Sequence, residues 1–267
     1  MALLNDSVVL ITGGAGGIGA AAVRRFAARG NQVVIADLDR DRGEALAAET
    51  GAYFVRTDVR DLAENEAAVA AAVERFGRLD VVHLNAGTIA STSIGESFAP
   101  DRYRHLMGVN LDSVVYGVQA AHGPLKAAGG GRIVVTASAT GMRPSYEVFY
   151  AASKHAVVGL VRSLGPLLEA EGIRINALCP GLVDTPLIAD RMAELNRAGM
   201  AVSDPESVVD ALETVLADPR TGLAWLVMAD RPLAPFEFAD LPVAREKNLL
   251  FENGGVRAVQ IPEGNQP

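Results

Sequence analysis

The stretch SVVLITGGAGGIG, residues 7 to 19, has five glycines in the seven positions from Gly13 to Gly19. A short apolar run precedes the glycines, and an alanine-rich run of good helix formers follows them from Ala20 to Arg29. Glycines permit a tight turn and a close approach to a pyrophosphate, and the N-terminus of the next helix offers free N–H groups. The stretch therefore predicts a strand, a dinucleotide-binding loop and a helix. An ordinary loop is the alternative interpretation.

A second strand, residues 32 to 36, ends at Asp37. An acidic residue about 20 positions after such glycines can accept hydrogen bonds from the adenosine ribose, and it would repel a 2′-phosphate. This position favours NAD over NADP. The charged neighbours of Asp37 allow two alternatives. Asp37 could lie in a solvated loop, or a nearby arginine could bind a 2′-phosphate. These neighbours are Asp39, Arg40, Asp41 and Arg42.

Tyr150 and Lys154 lie four positions apart in a segment whose apolar spacing predicts a helix, so their side chains share one helix face. A free tyrosine has a pKa of about 10, and a nearby cation favours the phenolate and lowers that pKa. The pair could therefore exchange protons near neutral pH. A tyrosine and a lysine at this spacing also occur by chance on solvated helices. The upstream Ser138 and Asn110 favour the chemical interpretation.

Strand-like runs alternate with alanine-rich helical runs along the chain. This alternation predicts right-handed crossovers and a parallel sheet covered by helices on both faces. We therefore expect an α/β fold, a Rossmann-type doubly wound sheet of about seven strands, with ligands at the carboxyl ends of the strands. No repeat or linker divides residues 1 to 267, so we expect one domain, with a C-terminal extension from about residue 229. The predicted strands lie near Val8–Ile11, Val33–Ala36, Tyr53–Arg56, Asp80–Leu84, Gly131–Ala137, Ile173–Leu178 and Leu223–Met228.

Taken together, these features resemble the short-chain dehydrogenase/reductase family over nearly the whole chain. The matching segments, in the order and spacing of that family, are Thr12–Gly19, Asp58-Val59, Asn85-Ala86-Gly87, Asn110, Ser138, Tyr150 with Lys154, Pro180-Gly181 and Val183-Asp184-Thr185. One position departs from the pattern. The family often has two asparagines before Ala-Gly, whereas Leu84, preceded by His83, stands at the first of them, which puts the local hydrogen bonding in doubt.

The resemblance implies a reversible hydride transfer between NAD and a small-molecule secondary alcohol or ketone. It implies that Tyr150 exchanges the proton, Ser138 binds the substrate oxygen, and Lys154 also holds the nicotinamide ribose. Asn110 should bind a water that links Lys154 to solvent, and Asp58 should hold the adenine amino group. The residues implied to contact the cofactor are Gly13, Gly17, Ile18, Gly19, Asp37, Asp58, Val59, Asn85, Ala86, Gly87, Tyr150, Lys154, Pro180, Gly181, Val183 and Thr185.

Two other functions remain open on the same residues. One is that of an NADP-dependent carbonyl or 3-oxoacyl-thioester reductase, which Asp37 disfavours because it would repel a 2′-phosphate. The other, from a different class, is that of a catalytically silent dinucleotide-binding sensor or scaffold. A silent protein has no need for Asn110, Ser138, Tyr150 and Lys154 together, so we favour the enzyme.

Composition excludes several classes of function. The 24 Lys and Arg residues against 32 Asp and Glu give a net charge of −8, which argues against nucleic-acid binding. Cys179, the single cysteine, cannot form an intrachain disulfide and is expected to be a buried hydrophobe. The four histidines lack metal-ligand spacing, so we expect no metal. No signal sequence or apolar run of about 18 residues is visible, so we expect a cytoplasmic protein without a membrane span.

Two segments are expected to select the substrate. The segment from Pro186 to Val202 fits an apolar flap or an ordinary amphipathic helix equally well. The tail after Met228 is similar to that of NAD-dependent 15-hydroxyprostaglandin dehydrogenase-type members of the family, which implies a bulky, largely apolar alcohol.

The tail is also expected to be extended and packed. Pro232, Pro235 and Pro242 forbid a regular helix, while the group Leu233, Phe236, Phe238 and Leu241 is too apolar to leave in water. We therefore expect Pro235–Phe238 to lie near the mouth of the cleft or at a subunit interface. The family resemblance implies a homodimer or homotetramer.

Overall fold

The structure is a computed structural model that describes residues 6 to 239, 248 to 252 and 255 to 259. The chain divides into two compact units, Met1–Phe236 and Glu237–Pro267. The first unit contains the central sheet and continues past the expected start of the extension at residue 229. Leu241 and Pro242, which the sequence argument placed in the packed tail, lie outside the described residues.

The strands and helices follow each other in the alternation that the sequence predicts. The strands are β1 (Val8–Thr12), β2 (Gln32–Asp37), β3 (Tyr53–Arg56), β4 (Val81–Leu84), β5 (Gly131–Thr136), β6 (Ile173–Pro180), β7 (Leu182–Val183), β8 (Val202–Ser203), β9 (Ala224–Val227), β10 (Ala234–Pro235), β11 (Asn248–Glu252) and β12 (Gly255–Val259). The α-helices are α1 (Gly17–Ala28), α2 (Arg40–Thr50), α3 (Leu62–Phe76), α4 (Pro100–Met107), α5 (Ser113–Ala127), α6 (Val148–Glu169), α7 (Met192–Arg197) and α8 (Pro205–Ala217). A π-helical turn, Gly108–Asp112, joins α4 to α5.

The central sheet has the strand order β10-β9-β6-β5-β4-β1-β2-β3. The seven strands from β9 to β3 are parallel, which confirms the expected doubly wound sheet, and β10 adds an antiparallel edge next to β9. The chain leaves β1 towards β2 on one side and returns to β4 on the other. This reversal opens a crevice at the carboxyl ends of β1 and β4, where such sheets bind ligands.

Helices cover both faces of the sheet because the central strands are apolar on both sides. All five residues of β1 are buried. Val81 of β4 belongs to a core cluster shared with α1 and α8, whereas Leu84 of the same strand packs on Gly117 of α5. Successive side chains of a strand point to opposite faces, so α5 lies on the face opposite α1 and α8.

The described part of the second unit contains an antiparallel pair of strands. β11 pairs with β12 in a register that runs from Asn248 opposite Val259 to Glu252 opposite Gly255. Within the described residues of the whole chain, no helix combines the length and the apolar character needed to cross a membrane.

The contact between α5 and β4 generates a stability prediction. A Cβ added at Gly117 would lie 2.4 Å from Cδ2 of Leu84, a side chain that is only 2% exposed. We expect Gly117→Ala to lower the free energy of unfolding by about 1–3 kcal/mol, because an overpacked core must shift. Gly159→Ala in α6 is the matched control. Outside its own helix, no atom of the described residues lies within 4 Å of its added Cβ, so helix propensity alone should stabilise the protein by up to about 1 kcal/mol. Urea unfolding measures the free energy of unfolding of both variants. An equal change in the two variants would refute the packing explanation.

Candidate active site

A cavity of about 1150 Å³ opens at the carboxyl ends of the parallel strands. It brings together nearly all the site residues predicted from the sequence, although they come from segments far apart in the chain. Gly19 and Asn110 are absent from its lining. The predicted residues that line it are Gly13, Gly17, Ile18, Asp37, Asp58, Val59, Asn85, Ala86, Gly87, Ser138, Tyr150, Lys154, Pro180, Gly181, Val183 and Thr185.

The glycine loop forms one end of the cavity and needs its glycines for steric reasons. Gly13 has a φ of +60°, and a Cβ there would lie 2.8 Å from Cα of Ala86. Gly19 packs directly against the loop, since a Cβ there would lie 2.1 Å from the Gly13 carbonyl oxygen. Helix α1 begins at Gly17 with no acidic side chain in its first turn, so its N-terminal N–H groups remain positive. This backbone cradle fits the pyrophosphate of a dinucleotide.

Acidic side chains line the cavity beyond the loop. The carboxylate of Asp37 accepts hydrogen bonds from the backbone N–H groups of Ala15 and Asp39, both at 2.9 Å, and these bonds hold it at the end of β2. Asp58 forms a bidentate ion pair with Arg60, and this pairing lowers the pKa of the Asp58 carboxyl. The sequence did not indicate that pairing. Both carboxylates can face the adenosine half of a bound dinucleotide.

Helix α6 places Tyr150 and Lys154 on the cavity wall, as its sequence pattern predicts. The Nζ atom of Lys154 lies 5.7 Å from the centroid of the Tyr150 ring and donates a hydrogen bond of 2.9 Å to the Thr136 carbonyl. Lys154 is only 3% exposed. It occupies the buried face of the helix, whose members repeat at intervals of three and four. The buried residues of the helix are Ala151, Ser153, Lys154, Val157, Val158, Val161, Gly165 and Leu168.

Burial shifts the pKa of both groups. It lowers the pKa of Lys154 to about 8 and raises the pKa of the Tyr150 phenol, an effect that the hydrogen bond with Ser138 partly offsets. The sequence argument expected the lysine to lower the pKa of Tyr150. In the protein alone the pKa moves in the opposite direction, because desolvation of the phenol is the largest contribution to its shift. The neutral phenol is thus the stable form at neutral pH.

Ser138 lies on this wall, and Cys179 is buried behind it in β6. Ser138 caps a 3₁₀ turn, Ala139–Met142, by accepting a hydrogen bond of 3.1 Å from the Thr140 N–H, which leaves its own hydroxyl proton to donate. Cys179 is completely buried, and burial raises the pKa of its thiol to about 12. It is therefore a neutral core residue, as expected.

Asn110 is buried in the π-helical turn, a feature frequent at functional sites. Its amide accepts from the Thr88 N–H at 2.8 Å and donates to the Thr88 carbonyl at 3.0 Å. It also donates to Ser153 Oγ, which in turn donates to the Tyr150 carbonyl. Asn110 thus joins the turn to α6. Sequence reasoning missed both partners, Thr88 and Ser153.

Known proteins share these residues and this fold. The family described as short chain dehydrogenase matches residues 7–196. Levodione reductase of Leifsonia aquatica is 37% identical over 216 residues, which are 78% of each chain. A 3-alpha-(or 20-beta)-hydroxysteroid dehydrogenase of Mycobacterium bovis is 40% identical over 187 residues, 69% of this chain and 72% of the relative. The chain belongs to the short-chain dehydrogenase/reductase family.

A solved structure agrees with this assignment. The crystal structure of 3-ketoacyl-(acyl-carrier-protein) reductase from Brucella melitensis, complexed with NADH, is 30% identical and has a TM-score of 0.79 over 85% of this chain and 99% of that chain. The short-chain dehydrogenase/reductase family binds a nicotinamide dinucleotide and converts small-molecule alcohols and ketones. The chain is therefore an oxidoreductase of this type.

The segment between β7 and β8, called the covering segment below, contributes apolar side chains to the cavity lining. These two short strands pair with each other and close the base of the segment. An ion pair between Arg191 and Glu147 ties it to the start of α6. Of its apolar residues, Leu187, Ile188 and Met200 line the cavity, whereas Met192 and Leu195 do not. The segment consists of a 3₁₀ turn, Pro186–Arg191, followed by the short helix α7.

The start of the tail also reaches the cavity. β10 confirms that Ala234 and Pro235 are extended, and the backbone N–H of Phe236 donates to the Ala224 carbonyl at 2.7 Å. Of the expected stretch Pro235–Phe238, Phe236 is part of the cavity lining. Among the described residues, no group of three or more His, Cys, Asp or Glu side chains could hold a metal ion.

The buried ammonium generates a prediction about stability and pH. Lys154→Met replaces the charge by an apolar chain of similar length. Below about pH 8 the folded protein bears the full cost of a pKa lowered from 10.5 to about 8, roughly 3 kcal/mol. Between pH 8 and 10.5 the unfolded chain binds more protons, so wild-type stability rises with pH. We expect the variant to unfold at equal or higher urea concentration than the wild type at pH 7, with the difference shrinking towards pH 10. A less stable variant with a constant difference would contradict this.

Proposed function

We propose that the protein is an NAD-dependent oxidoreductase that interconverts a secondary alcohol and a ketone, with Tyr150 as the acid and base. The observation that carries this proposal is the convergence of Ser138, Tyr150 and Lys154 on the same cavity as the glycine loop. A catalytically silent binding protein would not need this set. The protein supplies orientation and proton transfer, and the dinucleotide, when bound, supplies the hydride acceptor.

The proposed proton transfer uses three side chains in different roles. Ser138 donates a hydrogen bond to the substrate oxygen and thereby fixes that oxygen near the phenol. In the direction of reduction, Tyr150 gives its proton to the ketone oxygen, and burial keeps the phenol protonated for this step. In the direction of oxidation, the phenolate must form, and the positive charge of Lys154 stabilises it. With a pKa of about 8, Lys154 is mostly protonated at pH 7.

The preference for NAD rests on charge at the end of β2. Asp37 presents a carboxylate to the cavity, where it can bind ribose hydroxyls and would repel a 2′-phosphate. The two arginines that could attract a 2′-phosphate are engaged in ion pairs. Arg40 pairs with Glu44 at 3.0 Å, and Arg42 pairs with Asp39 at 3.4 Å. Both ion pairs are exposed and Arg42 itself lines the cavity, so the support for NAD over NADP comes from the carboxylate of Asp37.

A bulky, largely apolar alcohol or ketone fits the substrate half of the cavity. Apolar side chains reach it from the covering segment and from the tail, namely Leu187, Ile188, Met200, Met228 and Phe236. Two relatives are named for a hydroxysteroid and for levodione. We further propose a cytoplasmic homodimer or homotetramer, as the family resemblance implies.

One rival function has an observation in its favour. The Brucella melitensis neighbour is a 3-ketoacyl-(acyl-carrier-protein) reductase, so reduction of a 3-oxoacyl thioester is the second candidate. Turnover of a panel of apolar secondary alcohols and 3-oxoacyl thioesters, each with NAD(H) and NADP(H), separates the two. Faster turnover of thioesters with NADPH would replace the proposed function by the rival.

Replacement of Tyr150 by Phe tests the proton transfer. The change removes only the hydroxyl, so cofactor binding should persist while the single-turnover rate at saturating cofactor falls by about 10²–10⁴-fold, as for the loss of a general acid. Tyr146→Phe is the matched control, because Tyr146 is fully exposed and lies outside the cavity lining. Near-wild-type chemistry in the Tyr150 variant would exclude the mechanism.

Replacement of Asp37 by Ala tests the cofactor preference. The variant loses the ribose contact and the repulsion of a 2′-phosphate, so the preference for NADH over NADPH should narrow by roughly 1–3 kcal/mol. Fluorescence titration with NADH and with NADPH measures the two affinities and hence the preference. Asp41→Ala removes the same charge from an exposed neighbouring position and should leave the preference unchanged. An equal response of the two variants would show that Asp37 acts only through its general charge.

A further inference from the structure

A histidine lies in the middle of the central sheet, where apolar residues are the rule. His83 of β4 pairs with Ile11 of β1 on one side and with Val134 of β5 on the other, and its exposed fraction is 0%. Its Nε2 atom lies 2.9 Å from Oγ1 of Thr136, while Nδ1 is buried without a hydrogen-bond partner among the described residues. Burial lowers the pKa of the imidazole to about 3, so the ring is neutral and carries one N–H.

The neighbours of His83 determine which nitrogen carries that proton. The hydroxyl of Thr136 has one proton, and its oxygen also lies 3.1 Å from Oδ1 of Asn85, which can only accept. Thr136 therefore donates to Asn85, and the proton between the ring and Thr136 must come from Nε2 of His83. This assignment follows from the hydrogen-bond network.

The orientation of the Asn85 amide is consistent with this direction. Its Nδ2 donates to the Gly13 carbonyl at 3.2 Å. The opposite orientation would set Oδ1 against that carbonyl, two acceptors facing each other. The result is a directional chain of donors that runs from His83 to Thr136, then to Asn85, and ends on Gly13 in the glycine loop.

This series of hydrogen bonds ends at Gly13, where the backbone of the cofactor cradle is most closely packed. Gly13 adopts φ +60° against Ala86, and Gly19, in the first turn of α1, packs on the same Gly13 carbonyl that Asn85 holds. The backbone carbonyl of Thr136 accepts the ammonium of Lys154 at 2.9 Å. Thr136 is thus the residue at which the glycine loop and the lysine side chain are joined through hydrogen bonds.

We propose that Thr136 is a positioning residue for the dinucleotide, and that His83 is the buried donor that directs its hydroxyl towards Asn85. Without this hydroxyl the Asn85 amide keeps one of its two side-chain hydrogen bonds, the one to the Gly13 carbonyl, and holds that carbonyl less firmly. The cradle then has to be ordered when the cofactor binds, which weakens the affinity. The proposal needs only that the family's nicotinamide dinucleotide binds here, and it does not depend on the substrate or on the choice between NAD and NADP.

Thr136→Val tests the hydroxyl while preserving the shape of the side chain. We expect the Kd of NADH and of NADPH, measured by fluorescence titration without substrate, to rise about three- to tenfold, the effect of one buried hydrogen bond. The contact with Lys154 uses the backbone carbonyl, so kcat should fall by a smaller factor than the Kd rises. Thr136→Ser keeps the hydroxyl and should restore most of the affinity.

A second variant separates positioning from stability. Thr136→Val leaves the Nε2–H of His83 buried without an acceptor, so its Tm should fall. The double variant His83→Val with Thr136→Val removes that orphaned donor, and its Tm should recover. Its cofactor Kd should stay as weak as in the single variant, because Asn85 still lacks its donor. If Thr136→Val does not fold, the double variant and Thr136→Ser carry the test.

Three results would overturn the proposal. The first is an unchanged cofactor Kd in Thr136→Val, or in the double variant if the single one does not fold. The second is a double variant that recovers affinity together with Tm, which would reduce the His83–Thr136 pair to a packing element. The third is a Thr136→Ser variant as weak as the valine variant. Activity with any alcohol or ketone does not enter these measurements, so failure of the proposed substrate class would be seen separately.

Discussion

The buried ammonium of Lys154 is the constraint on which the site depends. Removing a cation from water is unfavourable, and the carbonyl of Thr136 offsets only part of that cost. A surface lysine would be easier to accommodate but would have an ordinary pKa and no fixed position. Strands β5 and β6 and the buried face of α6 hold the lysine in place. The packing of these elements offsets the remaining cost of burying the ammonium.

The same burial sets the protonation states of the neighbouring groups. Tyr150 stays a phenol and Cys179 stays a thiol, because burial desolvates both groups. The active site of this family member therefore combines one cation, one neutral acid and one inert sulfur within a small volume. A positive charge placed beside Tyr150 would lower the pKa of its phenol. The effect would be larger in this buried position than in water.

The cavity is assembled by the order of the strands. The glycine loop follows β1, Asp37 ends β2, Asn85 follows β4 and Ser138 follows β5, so the parallel sheet carries each of them to one edge. The covering segment and Phe236 add apolar side chains to the cavity lining. Hydrogen bonds between these loops, such as that from Asn85 to Gly13, make the cradle a single unit, so a change at one strand end reaches the others.

The sequence alone determined the features that depend on neighbours close in the chain. Glycine spacing predicted the loop, the alternation of strand-like and helical runs predicted a parallel sheet of about seven strands, and the interval between Tyr150 and Lys154 placed both on one helix. The sequence alone did not predict contacts between side chains of different strands. His83 and Thr136 are 53 positions apart and meet only because β4 and β5 are neighbours in one register. The pairing of Asp58 with Arg60 and the direction of the Tyr150 pKa shift were likewise decided by the folded state, because side-chain geometry and burial set them. Local patterns carry periodicity and turn chemistry, whereas strand order, register and desolvation exist only in the tertiary structure.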